Sequence, residues 1–130
     1  DYAHHPTEID AAFQAVSEMH PGKNILAVFQ PHLFSRTRDF VDEFAKSLSN
    51  FPSLLLLKIY PAREKPIEGV TSQWLLDKIT SPRKKLIGKS ELISEIMAQN
   101  PDVLITLGAG DIGLEVPKIK KELSLVHKKQ

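Results

Sequence analysis

Apolar residues fall along this chain in two alternating rhythms, short unbroken runs and stretches of helical spacing. Asn24-Ile25-Leu26-Ala27-Val28-Phe29 is a run of the first kind, bounded by Gly22 and Pro31. It predicts a strand covered on both faces. Ser53 to Tyr60, with four consecutive leucines and Ile59, predicts a second buried strand that Pro61 stops. Lys85-Leu86-Ile87 is a short, weak third, and Asp102 to Leu107, with Val103, Leu104, Ile105 and Leu107, a fourth.

Helical spacing fills the intervals. Ile9, Ala12, Phe13, Val16 and Met19 share one face of a helix that ends near Pro21-Gly22, and Thr7 with Asp10 resembles a capping box at its start. From Thr37 to Leu48 a single amphipathic helix is expected, with Phe40, Val41, Phe44, Ala45 and Leu48 inside and Asp42, Glu43 and Lys46 outside. Ser72 is placed to cap a helix through Ile79 that buries Trp74 and Leu75, and Pro82 follows it. Ser90 is placed to cap another, with Leu92, Ile93, Ile96 and Met97 apolar, closed by Asn100-Pro101. A last helix is expected from about Ile112 to His127, interrupted by Pro117. Strands alternating with helices predict βαβ units. The fold class is α/β: a Rossmann-like three-layer sandwich with a mainly parallel sheet.

Composition narrows this. The 130 residues allow one domain with a real core and too few for two, so residues 1–130 are expected to form a single domain. No run approaches the roughly 20 apolar residues of a membrane span, and the chain does not open on a basic segment followed by an apolar one. A cytoplasmic protein away from membranes is the expectation. Cysteine is absent, which excludes disulfides and thiol chemistry. With 17 basic and 16 acidic side chains, the near-neutral balance gives no footprint of a nucleic-acid binder. Arg83-Lys84-Lys85 is the one basic triplet and reads as a solvated turn. The opening Asp1-Tyr2-Ala3-His4-His5-Pro6 is too polar and aromatic for an idle tail, and suggests a domain cut from a longer protein.

Chemistry concentrates in Gln30-Pro31-His32-Leu33-Phe34-Ser35-Arg36-Thr37-Arg38-Asp39, between the first strand and the helix after it. Loops at the carboxyl ends of parallel strands are the usual binding edge, and a helix N-terminus offers N–H groups to an anion. His32, Arg36 and Arg38 are therefore candidates for a carboxylate or phosphate, with surface ion pairing to Asp39 or Asp42 as the equal alternative for the arginines. Tyr60 to Gly69 is a proline-containing loop at the end of a buried strand, read either as functional or as a rigid crossover. Gly108-Ala109-Gly110-Asp111-Ile112-Gly113 matches G-x-G-x-x-G, but no further strand follows to supply the ribose-binding acid. A glycine loop that lets an anion approach, or a plain tight turn, fits better than a dinucleotide site. The pair His4-His5 with His32 lacks the spacing and the cysteines of a zinc site, and hydrogen bonding to a polar substrate is the better reading.

Four stretches carry a resemblance: Asp1 to Glu8, Phe29-Gln30-Pro31-His32 with Ser35-Arg36-Thr37-Arg38-Asp39, Tyr60-Pro61-Ala62-Arg63-Glu64, and Gly108-Ala109-Gly110. In this order they resemble the C-terminal domain of the Mur ligases, the ATP-dependent amide-forming ligases of peptidoglycan synthesis. The resemblance implies a three-domain enzyme whose other two domains hold the UDP-sugar and the ATP P-loop. No G-x-x-x-x-G-K-[ST] occurs in these residues, so the fragment alone is expected to be inactive. ATP and Mg2+ are implied for the whole enzyme and neither for this domain alone. L-alanine and UDP-N-acetylmuramate are the implied partners, joined through an acyl phosphate. Tyr2, His4, His32 and Arg36 are implied around the alanine and the reacting carboxylate, with Gly108, Ala109 and Gly110 also at the substrate. Leu33 stands where many members carry a basic residue, and the first motif has one aspartate, Asp1, where two are usual. A tripeptide-adding ligase domain, a free-standing nucleotide-binding module and a pure interaction domain are the alternatives.

Overall fold

A computed structural model describes residues 5–108. The expected final helix, and Tyr2, His4, Ala109 and Gly110 among the expected site residues, lie outside them. Four strands, β1 (Ile25–Gln30), β2 (Ser53–Leu56), β3 (Arg83–Leu86) and β4 (Val103–Gly108), form one sheet in the order β3-β2-β1-β4. Among the described residues every pairing is parallel.

Alternation along the strands divides the core into two. Ile25, Ala27 and Phe29 of β1, with Leu54 and Leu56 of β2, face α1 (Pro6–Met19), α3 (Val41–Leu48) and α4 (Ser72–Lys78). Leu26, Val28, Leu55 and Leu57 face the opposite way, onto Leu92 and Ile96 of α5 (Leu92–Gln99). All six residues of β1 are buried, as a central strand between two helical layers requires. Phe29 and Phe44, with ring centroids 5.7 Å apart, join the sheet to α3.

Local boundaries differ from the sequence reading for identifiable reasons. The cap of α1 is His5, not Thr7: the His5 ring accepts from the Thr7 N–H at 3.3 Å, and Pro6 takes the first helical position, where its missing N–H costs nothing. The helix expected over residues 37–48 is two helices, α2 (Phe34–Asp39) and α3, broken at Phe40 with φ −121° and ψ 23°. The Phe40 ring packs edge-on against His5 at 5.0 Å, a tertiary contact invisible to periodicity. Ser90 lies within a 3-10 turn, Lys89–Glu91, and provides no cap to α5.

The basic triplet is not a solvated turn but the edge strand β3. Arg83 donates to the Asn24 side chain at 3.1 Å, and Lys85 pairs with Glu95 at 3.2 Å. Lys84 Nζ donates to the carbonyls of Leu76 and Ile79, 2.9 and 2.6 Å away, closing the C-terminal end of α4 where a cation suits both the terminal carbonyls and the helix dipole.

Candidate functional site

The chain leaves β1 for β2 and β3 on one side and returns to pair with β4 on the other. The strand order therefore reverses at β1, and such a reversal opens a crevice outside the carboxyl ends of the two diverging strands. Gln30 and Gly108 are the last paired residues of β1 and β4, and they face each other across that point. Gly108 has φ +120°, and a Cβ there would lie 2.4 Å from the Gln30 carbonyl oxygen. Glycine is obligatory at this position both for its backbone angle and for the close approach. The expected anion loop, residues 30–39, rises from one side of the crevice, and the glycine loop begins at the other.

Three strained or tied elements shape the loop. Leu33 has φ +71° and ψ 134°, a combination that L side chains rarely adopt. It is held there from both ends. Its N–H donates to the Tyr60 carbonyl at 2.8 Å, and its own carbonyl accepts from the Thr37 hydroxyl at 2.8 Å and the Thr37 N–H at 3.2 Å. Tyr60 returns a bond to the Pro31 carbonyl at 2.8 Å, continuing the β1–β2 ladder beyond both strands as a bridge between His32 and Tyr60. Their rings stack at 5.7 Å with planes 15° apart.

Arg36 lies one helical turn beyond His32, and its Nη1 donates to His32 Nδ1 at 3.3 Å. A guanidinium has no lone pair to offer, so Nδ1 is the acceptor and the ring proton resides on Nε2. The pair thus places a guanidinium, a donor suited to an anionic oxygen, against the imidazole. Arg38, by contrast, is exposed and bonds the neighbouring Asp39 at 2.9 Å. Of the two arginines, Arg36 is the half-buried one beside His32, and Arg38 lies at the surface.

The amino end of α2 is not an open anion site. Leu33 supplies no side-chain cap, and the first turn is instead met by the Glu64 carboxylate, which accepts from the Ser35 N–H at 3.1 Å and from the Ser35 hydroxyl. The Ser35 hydroxyl, then the Ser35 N–H, hold the Glu64 carboxyl below the usual carboxylate value, against partial burial, with smaller help from the Phe34 N–H and the Arg38 charge. An entering anion therefore meets side chains rather than backbone. The sequence assigns Glu64 no role of its own; it stands in the 60–69 loop after a buried strand and within the Tyr60-Pro61-Ala62-Arg63-Glu64 stretch that carries the resemblance.

Gly108, His32 and Arg36 are brought to one edge of the sheet. Beside them a cleft of about 300 Å3, lined by Gln30, Lys58, Tyr60, Gly88 and Lys89, opens over the ends of β2 and β3. Among the described residues no three His, Asp or Glu side chains gather as a metal site would require. None of the described helices is long and apolar enough to cross a membrane.

The chain is similar to known proteins. Residues 1–110 match the family model described as Mur ligase, glutamate ligase domain, and the chain belongs to the Mur ligase family. Within that family, the chain is 62% identical to the UDP-N-acetylmuramate–L-alanine ligase of Flavobacterium johnsoniae over 124 residues, which are 95% of this chain and 28% of that protein. The chain thus spans little more than a quarter of the length of the curated relatives it matches. The UDP-N-acetylmuramate-alanine ligase of Thermotoga maritima shares the fold, with a TM-score of 0.75 over 97% of this chain and 26% of that one at 24% identity. A Haemophilus ducreyi domain, from a ligase named for UDP-N-acetylmuramate and L-alanyl-γ-D-glutamyl-diaminopimelate, gives a TM-score of 0.64 at 26% identity over 95% of this chain and 87% of its own.

Proposed function

We propose that this chain is the C-terminal, amino-acid-binding domain of an ATP-dependent ligase that joins L-alanine to UDP-N-acetylmuramate in peptidoglycan synthesis. The relatives' names support the reaction, and the His32–Arg36 pair beside the strand reversal supports the role. In this reading the sugar-linked carboxylate becomes an acyl phosphate at the expense of ATP, and ADP is released. The neutral amine of L-alanine then attacks the carbonyl carbon of the acyl phosphate, and the bond to the phosphate oxygen breaks. The nitrogen gives up a proton to solvent as the amide forms and phosphate leaves.

Arg36 holds the alanine carboxylate. A planar guanidinium matches a carboxylate with two parallel hydrogen bonds, and the bond to His32 fixes its orientation. His32, protonated at Nε2, orients an oxygen by donation and is not the group that takes the ammonium proton while Arg36 occupies Nδ1. Tyr2 and His4, and the loop of Gly108, Ala109 and Gly110, complete the surroundings of the amino acid and the reacting carboxylate in this proposal. ATP, Mg2+ and the UDP-sugar are held by the other two domains, and the complete enzyme works in the cytoplasm.

Phosphate release with UDP-N-acetylmuramate, ATP and L-alanine tests the proposal, comparing the full-length protein with this domain alone. Turnover by the full chain and none by the domain is the expected result. A folded full chain inactive with L-alanine overturns it.

A further inference from the structure

We propose that Glu64 is the positioning residue for the His32–Arg36 pair, fixing the guanidinium where it meets the amino acid's carboxylate; this rests on the function proposed above. Helix α2 has six residues and a cap, Leu33, with a rarely adopted backbone angle and no side-chain bond to the helix. So short a helix has little stability of its own. Its orientation must come from outside.

The Tyr60–Glu64 segment supplies it. Tyr60 fixes the entrance, through the Leu33 N–H and the stacked His32 ring. Glu64 fixes the first turn itself, one residue before Arg36, by accepting from both donors of Ser35. Glu64 is in turn held by its own N–H, which donates to the Pro61 carbonyl at 2.9 Å across a tight turn in which Ala62 has φ +53°. A half-buried carboxylate at the positive end of α2 is electrostatically favoured there. It also fills the place that a substrate carboxylate would otherwise compete for, leaving the guanidinium as the anion's partner.

The experiment uses the full-length ligase with Glu64→Ala, Glu64→Gln and Ser35→Ala, read in two independent ways. Steady-state kinetics measure KM for L-alanine, ATP and UDP-N-acetylmuramate. Nitrogen NMR of labelled histidine reports whether His32 Nδ1 still accepts a hydrogen bond. Glu64→Ala is expected to raise the alanine KM about tenfold, with the ATP KM changed less than about twofold, as loss of orientation predicts. Glu64→Gln, which keeps one acceptor for the Ser35 N–H, falls between, as does Ser35→Ala, and the His32 nitrogen signal moves in the same order. If Glu64→Ala does not fold, Glu64→Gln decides by the same two measures. A folded variant with unchanged alanine KM and unchanged His32 signal overturns the assignment. Should the unsubstituted chain fail to use L-alanine, the proposed function falls and the nitrogen spectra alone decide whether Glu64 positions the pair.

Discussion

Arg36 Nη1 donates to Nδ1 of His32 at 3.3 Å, so the cation and the imidazole form one hydrogen-bonded pair rather than two separate side chains. Arg36→Ala in the full-length ligase is expected to lower kcat/KM for L-alanine by about 2 kcal/mol, the scale of a charge-assisted hydrogen bond. Arg36→Lys recovers little, because an ammonium cannot make the two parallel bonds. Steady-state kinetics at varied L-alanine check both; wild-type kcat/KM in folded Arg36→Ala refutes the assignment.

Gly108 cannot carry a side chain without displacing the Gln30 carbonyl, which would lie 2.4 Å from the new Cβ. Gly108→Ala is expected to destabilise the fold by about 1–3 kcal/mol, the usual cost of a residue forced into a disfavoured backbone region, and more if β1 and β4 separate. Chemical denaturation measures it. A midpoint equal to wild type contradicts the close approach.

Glu64 links stability to pH. The Ser35 hydroxyl and N–H hold its carboxyl below the ordinary glutamate value, so the stability it contributes is complete above the unfolded-state value and disappears as pH falls through the folded-state value. Glu64→Gln should therefore melt below wild type at neutral pH, with the gap narrowing as pH drops below 4.5. Melting curves from pH 7 downward decide; a gap independent of pH removes the carboxylate from the account.

Ser53, 1% exposed at the start of β2, is the buried residue whose hydroxyl has no hydrogen-bond partner among the described residues. Ser53→Ala removes a desolvated group without creating a cavity, and is expected to stabilise the protein by about 1 kcal/mol. Thermal melting tests the sign. A fall in Tm shows that the hydroxyl has a role the geometry does not disclose.

The sheet was legible because its strands, β3 excepted, are apolar runs: β1 and β4 lie within a residue of the expected spans, and the leucine run marks the buried β2 although regular pairing stops at Leu56. The site was legible in part, since His32 and Arg36 stand in a loop dense with ionisable groups. What escaped was decided by contacts distant in sequence. The helix that the spacing favours breaks at Phe40, whose ring meets His5, and β3 holds a strand of three cations, each with a partner elsewhere in the chain. Glu64 escaped for the same reason: its partner, Ser35, is 29 residues away.

The pairing of β1 with β4 has a consequence for how the domain comes into being. Asn24 N–H donates to the Asp102 carboxylate at 2.8 Å, closing a loop of 78 residues at the foot of the two strands. Contacts of such separation form slowly, because the chain entropy of bringing them together is lost before the contact is made. The crevice between Gln30 and Gly108 therefore does not exist in any partly folded intermediate that lacks β4. A collapsed species holding only β1, β2 and β3 would retain most of the leucine core and still have just half of the binding edge. The Gln30–Gly108 edge therefore depends on a pairing 78 residues apart in the chain.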